Sequence, residues 1–159
     1  MSFAWVPMAL MIFFAGLIAQ AFDTAQAVPG AGAAGQMQAV ARVRAQQIAV
    51  FSSACSQAAT ASPGLVSPNI AVALPNGVAI APGATCMTTS APGGGRYVYA
   101  WMPANGGTSA QVYAITQSDR AWWRVTATGI GTNMTDAQTL AFPASITAPA
   151  IVRFTQVNP

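Results

Sequence analysis

Residues Gln36 to Ala59 read QMQAVARVRAQQIAVFSSACSQAA, and their pattern decides the fold class. The stretch is rich in Ala and Gln and lacks Gly and Pro. Val40, Ile48, Phe51, Cys55 and Ala58 fall near helical spacing, as expected of an amphipathic helix. Arg42, Gln46, Ser53 and Gln57 would take its polar face, leaving the apolar face to cover a sheet.

Downstream the period shortens. Arg96–Met102, Gln111–Gln117, Trp122–Thr128 and Ile151–Val157 are rich in β-branched and aromatic residues. Turn formers such as Asn105-Gly106-Gly107 and Ser118-Asp119 separate them, so each reads as a strand. Between helix and strands, Pro63, Pro68, Pro75 and Pro82 argue against central strands. Around Asn76-Gly77 the sequence allows at most a short hairpin, Ile70 to Leu74 with Val78 to Ile80. Helix first and strands afterwards predicts an α+β domain, one helix on an antiparallel sheet, rather than an alternating α/β fold.

Upstream, Phe3 to Phe22 read FAWVPMALMIFFAGLIAQAF, with Gln20 the one strongly polar side chain. Twenty helical residues at about 1.5 Å each span roughly the 30 Å of a bilayer's hydrocarbon. We read an amino-terminal transmembrane helix. A cleaved signal peptide is the competing reading, because Ala25-Gln26-Ala27 before Val28 has the small-x-small form of a peptidase site. The lack of a basic residue before the run, and its length, favour the anchor. Arg42 and Arg44 lie at the edge of the window that sets orientation and weigh little. The expected organisation is an anchor over 1–27, a Gly/Pro linker over 28–35 (VPGAGAAG) and a folded α+β domain over 36–159.

Cys55 and Cys86 are the two cysteines of the chain. Such a pair suits a disulfide in a periplasmic or extracellular space, two buried thiols being the alternative. Only 6% of residues are charged, with no His and three acids, Asp23, Asp119 and Asp136. That supply is too poor for a general acid–base set, a metal centre or a hydrolase triad, and we expect neither an enzyme nor a cofactor. The net charge of +3 comes from scattered arginines, so no basic stripe for nucleic acid is expected. Tyr97, Tyr99, Trp101, Tyr113, Trp122 and Trp123 form an aromatic group. We expect most of these rings to pack helix against sheet, with a stacking or sugar-binding platform as the alternative. Trp122 and Trp123 must face opposite sides of a strand, which would leave one for a partner. Arg120, Trp122, Trp123 and Arg124 are the candidate partner contacts.

Taken together, the membrane-directed segment, the ARVRAQQIAVFSSACSQAA helix, the Pro-rich PGLVSPNIAVALPNG stretch, the GRYVYAWMP strand and the closing LAFPASITAPAIVRF resemble PilM-type inner-membrane proteins of type IVB, thin or conjugative pilus systems. The resemblance implies a non-enzymatic pilus assembly component, anchored in the inner membrane with its domain in the periplasm and binding other pilus or secretion proteins. The helix-then-sheet order is also similar to pilins and pseudopilins. The chain departs from their pattern, having no Glu and no basic leader before Gly16-Leu17. Two other functions stand beside this one: an adhesin-like or carbohydrate-binding module released after Ala27, and a pilin-like fibre subunit.

Overall fold

A computed structural model describes residues 10–18, 20 and 31–157. Residues 10–18 and 20 are helical, and the apolar side chains of Leu10, Ile12, Phe13 and Phe14 are exposed. Much of the expected span Phe3–Phe22, the Ala25–Ala27 motif and linker residues 28–30 lie outside the described residues. Among those described, no helix is long and apolar enough to cross a membrane. Contacts divide the chain into Met1–Gln38 and Ala39–Pro159, and the second unit holds the α+β fold.

Helix α1 spans Ala31–Ala61. It begins five residues before the expected start at Gln36, so Ala31–Gly35 is helix rather than linker; three alanines in AGAAG offset the cost of two glycines. From residue 41 onward its buried stripe is Ala41, Ala45, Ile48, Phe51, Ser52, Cys55 and Ala59, at the three-and-four spacing of one helical face. Arg42, Gln46, Ser53 and Gln57 point outward as expected, but Val40 is exposed and Ala41 takes the buried position beside it.

Six strands follow: β1 Thr85–Ser90, β2 Arg96–Pro103, β3 Trp122–Ala127, β4 Ile130–Asn133, β5 Thr139–Ala141 and β6 Ala150–Val157. They form one antiparallel sheet in the order β1-β2-β6-β3-β4-β5. α1 packs on one face of it, where Ala45, Ile48, Phe51 and Cys55 meet Cys86, Val98, Ala100, Met102, Trp122 and Ile151.

One expected strand is a helix. Residues 111–117 carry Val112, Tyr113 and Ile115, which argue for a strand, yet α2 spans Thr108–Ile115. Its buried residues are Thr108 and Val112, one helical turn apart, and Thr108 N–H closes a turn onto Asn105 O at 3.1 Å to start it. This spacing of four buries both side chains together, where alternation would place every second residue inward. The sequence reading also missed β1, β4 and β5. The last two, of four and three residues, are shorter than the window over which alternation is detectable. The Pro-rich stretch contains no strand: Asn76-Gly77 is a turn, with Val78 N–H on Pro75 O at 3.1 Å, but no ladder flanks it.

Candidate partner-binding surface

Cys55 on α1 and Cys86 on β1 stand at disulfide distance, with Cα atoms 5.6 Å apart, and join helix to sheet across 31 residues of chain. A second tie lies at the carboxy-terminal end of α1. Arg96 is 4% exposed, and its guanidinium donates to Ala59 O (2.9 Å), Ser62 O (2.9 Å) and Leu65 O (3.0 Å). A helix ends with unpaired carbonyls and partial negative charge, so a cation there supplies missing donors and a favourable field.

The aromatic group does not wedge helix against sheet. Strand alternation places Tyr97, Tyr99 and Trp101 on the face turned away from α1, and Tyr113 lies on α2, 42% exposed. Trp122 alone of the group joins the core beneath α1. The far face instead carries a cluster of its own, in which Phe154 stands 5.1 Å from Tyr97 and 5.2 Å from Tyr99 between ring centroids.

Residues 142–149, connecting β5 to β6, cross this face as a strap. Phe142 contacts the rings of Tyr99 and Trp123, each at 5.6 Å. It lies over Gly131, where a β-carbon would collide with its ring. Farther along, Ser145 Oγ donates to Met87 Sδ at 3.6 Å and Ile146 is fully buried. The strap therefore reaches from the β5 end of the sheet to β1 and seals most of the aromatic surface. Tyr97 and Phe154 remain half-buried at its margin.

The four residues proposed as partner contacts divide by exposure. Trp122 and Trp123 face opposite sides of β3, as alternation requires, but neither is left outside: they are 2% and 9% exposed, because α1 covers one face and the strap the other. Arg120 and Arg124 are exposed. Asp119-Arg120 sits in a turn, where Asp119 Oδ1 accepts from Ala121 N–H at 3.0 Å, though this turn joins a helix to a strand rather than two strands. Asn133, which the sequence reading did not single out, fastens the same corner: its amide donates to Arg120 O at 2.7 Å and its Oδ1 accepts from Thr135 N–H at 2.8 Å. Its only signal was the Asn before Thr135 that an Asx turn requires.

Burial pushes the Tyr99 hydroxyl pKa upward; a hydrogen bond with Thr89 opposes this in part and neighbouring Tyr97 adds to it. Among the described residues no group of three or more His, Cys, Asp or Glu side chains is placed to hold a metal. No family model matches the chain, and neither a curated protein nor a solved structure matches it significantly.

Proposed function

We propose that the chain is a non-catalytic component of a bacterial type IV pilus assembly apparatus. In this reading residues Phe3 to Phe22 hold it in the inner membrane, and its α+β domain binds other assembly or secretion proteins in the periplasm. The observation that carries the reading is the Cys55–Cys86 pair at disulfide distance, standing behind an apolar amino-terminal segment in a chain with no other cysteine. An oxidising space outside the cytoplasm is where such a pair persists as a bond, and a segment of this composition delivers a domain there. Exposed Leu10, Ile12, Phe13 and Phe14 are what a lipid-facing helix presents. The helix-on-sheet domain has the element order of pilin-type proteins. Confinement to a membrane raises the effective concentration of such a domain for its partners, so modest contacts suffice.

Alkaline extraction of membranes tests the proposal together with thiol labelling. The full chain should stay with the membranes, and its cysteines should react with a maleimide only after reduction. A soluble protein with both thiols reactive overturns it. A mature amino terminus at Val28, found by mass spectrometry, would establish the released module that the Ala25-Gln26-Ala27 motif favours.

A further inference from the structure

The sheet face that carries α1 is not closed at its β4 end. Between α2 and the β3–β4 hairpin lies a half-open groove of about 420 Å³. Ser109 and Tyr113 of α2 form one wall, and Met134 and Thr135 of the turn after β4 form another. Arg124 and Thr132, directly paired across β3 and β4, also line it. Arg124 is exposed and, among the described residues, its guanidinium makes no hydrogen bond or ion pair.

Charge and donor count narrow the occupant. No acidic residue lines the groove, and the first turn of α2 contains none. Asp136 follows Thr135 in the turn, but its Oδ1 accepts from Gln138 N–H at 3.1 Å. A free guanidinium with adjacent hydroxyls offers donors in the fork that fits a carboxylate. A neutral saccharide would also need acceptors, and the side-chain amide of Asn133 is already engaged at both ends. A nucleic-acid backbone would need a row of cations where the groove has one. The apolar parts of Tyr113 and Met134 fit apolar neighbours of the acid.

We propose that this groove docks a short segment of a partner protein, with an aspartate or glutamate carboxylate on Arg124 and an apolar neighbour against Tyr113 and Met134. The inference rests on the reading of the chain as a partner-binding component and names the chemistry of the partner.

The full chain in detergent, with ¹⁵N-labelled arginine, is titrated with capped tripeptides in which Glu or Gln is flanked by Leu, Val or Ala. At least one Glu peptide should shift the Arg124 side-chain resonance saturably and bind roughly five-fold or more tighter than its Gln counterpart. Arg124→Gln should abolish that preference, Tyr113→Ala should weaken both peptides, and Arg42→Gln, on the exposed side of α1 and outside the lining, should leave the preference intact. Three outcomes overturn the proposal: no saturable shift with any Glu peptide, equal affinity of Glu and Gln peptides, or acetate binding as tightly as the peptides. Should one of these occur while the protein still fractionates with membranes as an oxidised chain, the groove assignment fails and the proposed function stands.

Discussion

At the scale of single residues, Arg96 illustrates how a buried charge is made tolerable without a carboxylate. Three carbonyl oxygens at 2.9–3.0 Å receive its terminal nitrogens, and two of them, those of Ala59 and Ser62, belong to the end of α1 or the residue just after it. Arg96→Ala removes three charge-assisted hydrogen bonds at the end of α1. Leu65 O keeps the Thr88 hydroxyl and Ser62 O keeps Leu65 N–H, while Ala59 O loses its side-chain donor, so we expect a loss of about 2–4 kcal/mol in denaturant unfolding. Arg96→Lys should recover less than half, because one ammonium does not reproduce a planar fork spanning three acceptors. Tyr99 makes a pH prediction. Its pKa lies above the ordinary value of 10.0, chiefly through burial, so the native state holds that proton more tightly than the unfolded chain. Its stabilisation is fully present below the ordinary value and is lost as pH rises through the raised one. Tyr99→Phe should therefore flatten the alkaline limb of the stability curve and remove a tyrosinate absorbance component that titrates above the ordinary value. An unchanged limb would show that another group governs it.

At the scale of elements, legibility followed how directly a pattern reports its partner. α1 was readable because Ile48, Phe51 and Cys55 repeat at helical spacing and are all buried. β2 was readable because RYVYAWMP alternates strictly between the α1 face and the aromatic face. α2 was not, since eight residues give too few turns for periodicity to outweigh the β-branched character of Val112 and Ile115. The strap was not either: its hold comes from Phe142 meeting rings on β2, β3 and β6, contacts that no local spacing encodes. The same non-local logic applies to Cys55 and Cys86. Closing a 31-residue separation restricts the unfolded chain and, in the loop-entropy description, contributes about 3–4 kcal/mol. Replacing both cysteines by Ala should lower the denaturant midpoint accordingly while leaving the far-ultraviolet spectrum native-like. An undiminished midpoint would mean the tie does not close in the protein.

At the scale of the whole domain, the sheet order sets what depends on what. β6 is the last strand in sequence, yet it lies between β2 and β3 and pairs over eight residues with the one and four with the other. It joins the β1–β2 half to the β3–β4–β5 half, and both faces above it are covered, Ile151 beneath α1 and Val152 beneath the aromatic cluster. The two sheet edges differ. β1 is partly guarded by Ser67–Ile70, through the Ser67–Thr88 bridge and Ile70 N–H on Cys86 O at 2.7 Å, whereas all three residues of β5 are exposed. None of this order was legible in the sequence, because strand adjacency is set by long-range closure rather than by local pattern. Local stability should follow the same gradient, since amides exchange through openings whose cost grows with burial and pairing. Hydrogen exchange on the full chain should therefore find the slowest amides in β6 and the facing parts of β2 and β3, intermediate protection in β1 and β4, and near-unprotected amides in β5. Equal protection of β5 and β6 would contradict the order, because a three-residue edge strand opens without disturbing either cluster, while opening β6 parts the sheet in two.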